Sequence, residues 1–170
     1  SGKTNVTINL PDGVQTNGGK TGTFTITDFT KQGQVYLVRS VASEEGEGEE
    51  TQALINLSGT TICSDQPIAV WSGNQAAVYP AEMASTGDFT SDQLLPISHW
   101  GKQFIVPMMK YDACTIKRNR LNVSAIESNT TVTLGGAGSG TWTSSKMGET
   151  HEFDMKRNVA SEAGVNVVNA

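Results

Sequence analysis

The stretch Asn5-Val6-Thr7-Ile8-Asn9-Leu10-Pro11-Asp12-Gly13 alternates apolar and polar residues and then breaks into a turn. Val6, Ile8 and Leu10 share one side of an extended chain, because successive side chains of a strand point to opposite faces. The Pro-Asp-Gly that follows is a composition that favours tight turns. The pattern is typical of a strand with one buried face in an antiparallel sheet.

The same period of two recurs along the whole chain, and no window has a helical period. Residues 73–96 are mostly small or polar and lack a clear period, so we predict a long binding loop there. The sequence therefore predicts an all-β fold, an antiparallel β-sandwich. After the first, the predicted strands are 23–29, 35–41, 51–57, 60–63, 67–71, 103–108, 115–126, 130–134, 141–143, 151–155 and 165–168.

Two parts of the chain are variants of one pattern. Asn5-Val6-Thr7-Ile8 with Gly22-Thr23-Phe24-Thr25 matches Thr131-Val132-Thr133-Leu134 with Gly140-Thr141-Trp142-Thr143. A competing register aligns Val41-Ala42-Ser43-Glu44 with the identical residues at 159–162. We predict a single sandwich domain over residues 1–170 whose two related strand units, about 4–72 and 130–169, are joined by 73–129. The alternative is that the two stretches are alike only because different parts of any β protein rich in Thr, Gly and Val have similar sequences.

Charge and hydropathy exclude several classes of partner. The formal net charge is −5, and the one basic cluster, Lys117, Arg118 and Arg120, is short. We therefore expect no nucleic-acid binding, which uses a clustered basic face. No stretch approaches the roughly 20 apolar residues of a membrane helix. Ser1 opens directly on polar sequence, so we expect that any export signal has been removed or left out.

Cysteines and sequons provide candidate sites of modification. Cys63 and Cys114 are far apart in sequence and match no metal-ligand spacing. In an exported chain they are a candidate disulfide, and a buried free thiol at Cys63 is the alternative. Asn-x-Ser/Thr triplets begin at Asn5, Asn56, Asn122 and Asn129, and each is a candidate glycosylation site in a eukaryotic secretory route.

The centre of the chain resembles a known family. The residues that carry the resemblance are Ser64-Asp65-Gln66-Pro67-Ile68-Ala69-Val70-Trp71-Ser72-Gly73-Asn74, Asp92-Gln93-Leu94-Leu95-Pro96, Trp100-Gly101-Lys102-Gln103-Phe104-Ile105-Val106-Pro107 and Glu127-Ser128-Asn129-Thr130-Thr131-Val132-Thr133. Together they resemble the IgGFc-binding protein N-terminal domain family over roughly residues 50–170. The resemblance implies an extracellular module of a larger secreted or cell-surface protein that adheres or binds a ligand. Residues 75–81 contain no Cys, so no disulfide is expected at that point.

Aromatic and polar residues around the long loop are candidates for ligand contact, because Trp and Tyr are enriched at interfaces. The alternative is that the tryptophans pack in the core. Phe24 and Trp142 occupy matching positions in the repeat and are expected to be structural. We expect a protein or glycan ligand, or neighbouring copies of the chain that pair through edge strands in a filament, stalk or coat. The candidate binding residues are Trp71, Asn74, Tyr79, Asp88, His99 and Trp100.

Catalysis is not expected, and neither is a cofactor or metal. Ser98 and His99 are adjacent, and in an extended segment they would point to opposite faces. Glu82, Asp88 and Asp92 are the acids of the loop, but no spacing brings two of them to a working separation for glycoside hydrolysis. The acidic residues at 44–50 lack the alternating ligands of a tight calcium loop. An enzyme would instead need a pocket with converging ionisable groups.

Overall fold

The computed structural model describes residues 3–41, 56–77, 88–107, 118–136, 139–156 and 165–169. Apart from one 3-10 turn at Ile97–His99, the regular elements of these residues are strands, and they pair antiparallel throughout. The predicted all-β class is confirmed. The strands are β1 (Thr4–Asn9), β2 (Thr23–Phe29), β3 (Thr61–Ser64), β4 (Trp71–Ala77), β5 (Asp88–Gln93), β6 (Gln103–Pro107), β7 (Arg118–Ser124), β8 (Thr131–Gly136), β9 (Gly140–Thr143), β10 (Thr150–Lys156) and β11 (Val165–Asn169).

The chain divides into two compact units. Unit 1 comprises residues 1–68 with 147–149, and unit 2 comprises residues 69–146 with 150–170. Unit 1 contains a three-stranded sheet in the order β2-β1-β3. Ile8 of the central strand lies opposite Phe24 on one side and Ile62 on the other. Because opposed residues share a face, the alternation read from the sequence produces one apolar face.

That apolar face forms the core of unit 1. Its buried members are Val6, Ile8, Leu10, Val14 and Ile26. Burying an aliphatic side chain of this size contributes about 1.5–3 kcal/mol. The turn that follows Leu10 brings Val14 into the same core. The face that the opening stretch predicted is therefore the buried one.

Unit 2 contains a sandwich. A four-stranded sheet in the order β6-β11-β8-β9 packs against the two-stranded sheet of β10 and β7. Val132 and Leu134 of β8 face Phe153 and Met155 of β10, and each is at most 5% exposed. Trp142 packs at the edge of this core, so the structural roles predicted for Trp142 and, in unit 1, for Phe24 are confirmed. β4 and β5 form a separate two-stranded ribbon.

Both larger sheets place an early strand in the middle. β1 lies between β2 and β3, and β8 lies between β9 and β11. The hairpin registers differ by two residues, since Ile8 pairs with Phe24 whereas Val132, not Leu134, pairs with Trp142. A shift of two residues keeps the same side chains on the same face. The duplication and the single domain over 1–170 stay predictions.

Three expectations about strands are wrong. Residues 35–39 alternate as a strand does, but among the described residues they join no sheet. Residues 67–70 are irregular, so Pro67 does not begin a strand as expected; Pro107 instead ends β6 opposite Val165. The predicted long loop contains most of β4 and all of β5. Its residues gave no period of two in hydropathy because the described side chains of this ribbon are largely exposed on both faces.

Candidate functional site

The candidate site begins with the β4–β5 ribbon. Trp71 lies opposite Gln93 and Gly73 opposite Ser91. The Leu94 backbone N–H donates to the Val70 carbonyl at 2.9 Å and extends the pairing beyond the first residue of β4. A Cβ on Gly73 would lie 2.8 Å from the Thr90 carbonyl oxygen, so only glycine fits this close approach of the two strands.

The two faces of the ribbon differ in chemistry. By alternation, Trp71 and Phe89 share one face, and Asn74 lies on the other with Asp92. Trp71 is 62% exposed and Phe89 is 67% exposed. A two-stranded ribbon with exposed aromatic residues is marginally stable by itself in water. The face of the ribbon that carries Trp71 and Phe89 is therefore apolar and exposed to solvent.

The chain continues from the ribbon into an apolar segment with a fixed backbone. Pro96 precedes the 3-10 turn, and the backbone N–H groups of His99 and Trp100 donate to Pro96 and Ile97, both at 2.9 Å. The Trp100 indole N–H donates to the Leu95 carbonyl at 3.1 Å. These bonds satisfy the polar atom of the indole and hold its ring, which remains 46% exposed.

Eight large apolar side chains between residues 71 and 105 of unit 2 are exposed, and we call this set of residues the apolar surface. A Cβ on Gly101 would lie 3.7 Å from the Phe104 ring, so that ring lies over the backbone that leads from Trp100 into β6. Large exposed apolar areas are typical of interaction sites in soluble proteins. The members of the apolar surface are Trp71, Phe89, Leu94, Leu95, Ile97, Trp100, Phe104 and Ile105.

The predicted binding residues are distributed over these elements. Trp71 and Asn74 lie on β4, Asp88 begins β5 opposite Ala77, and His99 and Trp100 are adjacent at the end of the 3-10 turn. Tyr79 lies outside the described residues. The alternative in which Trp71 and Trp100 are core residues is wrong, because both rings are exposed.

Of the eight members of the apolar surface, the sequence predicts only Trp71 and Trp100 as binding residues. Leu94-Leu95-Pro96-Ile97 is a run of apolar residues that begins inside the predicted polar segment 73–96 and ends just after it. Such a run in a non-core segment is itself a sign of function.

Ser98 and His99 are closer together than their sequence suggested. The Ser98 hydroxyl and His99 Nδ1 are 3.2 Å apart, because the two residues lie in a 3-10 turn and not in an extended strand. The expectation that they point apart is wrong. A catalytic serine also needs an acid that orients the imidazole, and among the described residues the His99 imidazole contacts the Ser98 hydroxyl and no carboxylate.

The other predicted groups have specific surroundings. His151 stacks on Trp142 with ring centroids 5.3 Å apart and meets Phe153 edge-on at 4.6 Å, so it belongs to the aromatic edge of the unit 2 core. Arg120 of the basic cluster forms an ion pair with Glu152, and Lys117 lies outside the described residues. No group of three or more His, Cys, Asp or Glu side chains suited to a metal occurs among the described residues.

The modification candidates are partly described. Cys63 on β3 is exposed, so the alternative of a buried thiol is wrong. Cys114 lies outside the described residues, as does the acidic stretch 44–50, and the disulfide stays a prediction. The four sequon asparagines are exposed. Asn5 donates from Nδ2 to Asp65 at 2.6 Å, Asn56 accepts from the Ser58 N–H at 2.9 Å, Asn122 lies opposite Glu152, and Asn129 has a left-handed φ of 61°.

In the described part of the chain, no helix is long and apolar enough to cross a membrane. No solved structure matches the chain significantly. Among curated proteins, human IgGFc-binding protein is 33% identical over 60 residues, which is 35% of this chain and 1% of that protein. The chain thus matches a very small part of the length of this relative. The sequence model of the family described as IgGFc binding protein matches residues 1–169. The chain therefore belongs to the IgGFc binding protein family.

Proposed function

We propose that this chain is an extracellular, non-catalytic binding module of a larger secreted or cell-surface protein, and that it contacts a protein ligand through the apolar surface. The observation that carries the proposal is the exposure of Trp71 and Trp100 together with the leucines between them in sequence, Leu94 and Leu95. Binding energy at protein interfaces is concentrated in a few side chains, with Trp prominent among them.

Rigidity supports the same proposal. The Trp100 ring is anchored through its indole N–H, and Trp71 is held in the ladder opposite Gln93. Side chains that are already ordered lose less conformational entropy when a partner binds. The name of the human relative states that it binds the Fc part of IgG, an extracellular protein. This supports an extracellular protein as the class of ligand, and human Fc is one probe to include.

An array of secreted proteins and glycans tests the proposal. The chain, its Trp71→Ser/Trp100→Ser variant and a Met147→Ser control are labelled and applied to the array. Met147 is 57% exposed but belongs to unit 1, outside the apolar surface. We expect the chain and the control to bind the same protein spots. The double variant should bind those spots at least about tenfold more weakly. Binding to glycans alone, or equal binding by all three chains, would overturn the proposal.

A structural building block of an extracellular filament, stalk or coat is the second candidate. It is favoured by β6, which among the described residues is one of the two edge strands of its sheet and carries Phe104 and Ile105, 45% and 71% exposed. Exposed apolar edge strands favour pairing between copies. Light scattering over a range of concentrations tests this candidate. Oligomers that an Ile105→Lys variant abolishes would support it, and a strict monomer would exclude it.

A further inference from the structure

A second group of exposed apolar residues lies in unit 1, on the segment 35–39 that the sequence predicts to be part of a strand. The Gln34 N–H donates to Lys31 O at 3.4 Å before the segment, and Arg39 O accepts from the Asn17 N–H at 2.8 Å at its end. Within the described part of the chain, the backbone groups of residues 35–38 make no hydrogen bond. Backbone N–H and C=O groups are strong hydrogen-bonding groups that favour a partner.

The side chains of this segment alternate as they would on an edge strand. Val35 is 90% exposed and Leu37 is 73% exposed. Val38 packs against the core of unit 1, and the Tyr36 ring meets Phe29 edge-on at 6.4 Å. Valine, tyrosine and leucine are apolar residues suited to a half-buried strand, and the first two are strong strand formers. One side of the segment is therefore fixed to the core, and the other presents apolar side chains to solvent.

The ends of the segment carry positive charge. Lys31 and Arg39 are both exposed, and no ion pair involves either of them among the described residues. This is a local basic feature in a chain of net charge −5. Opposite charges across paired strands are favourable, whereas like charges are not. Antiparallel pairing with a second copy would bring the Arg39 end of one segment to the Lys31 end of the other, which disfavours self-association here.

We propose that residues 35–38 form a strand-addition site for an extended partner peptide that has alternating apolar side chains and carboxylates at its ends. The backbone groups of residues 35–38, which bond to no other described residue, would pair with the peptide backbone, and this pairing is the source of affinity in this mode of recognition. Val35 and Leu37 would contact its alternate side chains. Lys31 and Arg39 would bind its acidic ends, and because they are exposed this contribution should weaken with salt.

A set of synthetic peptides tests the site by fluorescence anisotropy. The probe is Glu-Thr-Val-Thr-Ile-Thr-Glu-amide with fluorescein on its N-terminus, and its identically labelled controls carry Lys at both ends or Pro in place of the central Thr. We expect the acidic peptide to bind at least about tenfold more tightly than either control, with affinity that falls as salt rises. Leu37→Asp should abolish binding. Met147→Asp changes another exposed apolar side chain of unit 1, outside both surfaces, and should leave binding unchanged. Circular dichroism verifies that both variants fold.

Three results would overturn this assignment. The first is equal affinity for the acidic and the lysine-ended peptides. The second is slow hydrogen exchange at the amides of residues 35–38 in the free chain, which would mean that another part of the same chain already pairs with them. The third is a dimer that Leu37→Asp dissociates, which would identify a second copy as the partner. Because residues 35–38 belong to unit 1 and the apolar surface belongs to unit 2, failure here leaves the proposed function of the apolar surface standing.

Discussion

Phe153 and Phe89 are both phenylalanines of unit 2, but one is buried and the other is exposed. Phe153 of β10 is 5% exposed and packs against Val132 and Leu134, whereas Phe89 of β5 is 67% exposed. The first region is the buried core of the sandwich, and the second is a ribbon whose apolar face is exposed to solvent. The difference teaches that apolar residues in this chain have two uses: those of the core hold the fold, and those of the apolar surface are available to a partner.

The comparison predicts its largest effect on stability at the phenylalanines themselves. Phe153→Ala should lower the free energy of unfolding by about 3–5 kcal/mol, because it removes buried surface and leaves a cavity. Phe89→Ala should change it by less than about 1 kcal/mol, since most of that ring is already in water. Urea denaturation of both variants measures the difference, and equal losses would show that the ribbon is part of the core after all.

The glycines of unit 1 give a second pair. Gly59 and Gly33 have φ of 87° and 83°, but a Cβ on Gly59 would lie 2.1 Å from the Gly148 carbonyl oxygen, whereas nothing lies within 4 Å of one on Gly33. Gly33→Ala should cost about 1–2 kcal/mol for the left-handed backbone alone. Gly59→Ala should cost about 1–3 kcal/mol more, because the turn that contains Gly59 and the turn that contains Gly148 must separate. Thermal unfolding of both variants tests this, and a Gly59→Ala that is no worse than Gly33→Ala would contradict the close packing of the turns.

Two serines give the smallest expected contrast. Ser144 is 1% exposed; its hydroxyl donates to Glu127 O at 2.7 Å and accepts from the Thr130 N–H at 3.0 Å. Ser144→Ala leaves both groups without this partner and should cost about 1–3 kcal/mol. Ser98→Ala removes only an exposed contact with His99 and should stay within about 0.5 kcal/mol. The measurement is again the urea midpoint, and a Ser144→Ala as mild as Ser98→Ala would mean that water replaces the lost hydroxyl.

The sequence predicted the fold best where one face of a strand is buried. β2 spans the predicted residues 23–29, since Phe24 and Ile26 alternate with threonines. Elsewhere, hydropathy patterns predict strands incorrectly in two opposite ways. Residues 35–39 alternate correctly but find no neighbouring strand in the described part, and alternation carries no information about partners. The β4–β5 ribbon was missed because a strand exposed on both faces has no apolar period to detect.

The site was predicted in part for a related reason. The sequence predicts Trp71 and Trp100 as contact residues because Trp and Tyr are enriched at interfaces. Leu94 and Leu95 were passed over because leucine is ordinarily a core residue. Their exposure depends on the 3-10 turn and on the Trp100 indole bond to Leu95, which are tertiary details that no local pattern specifies.

The most direct test of the division between core and surface is a paired measurement on Trp71→Ala/Leu95→Ala. The affinity of the strongest protein ligand from the array is measured by biolayer interferometry, and the free energy of unfolding by urea denaturation. The account predicts at least about a tenfold loss of affinity with stability within about 1 kcal/mol of the unchanged chain. Unchanged affinity, or a loss of stability as large as that of Phe153→Ala, would contradict it.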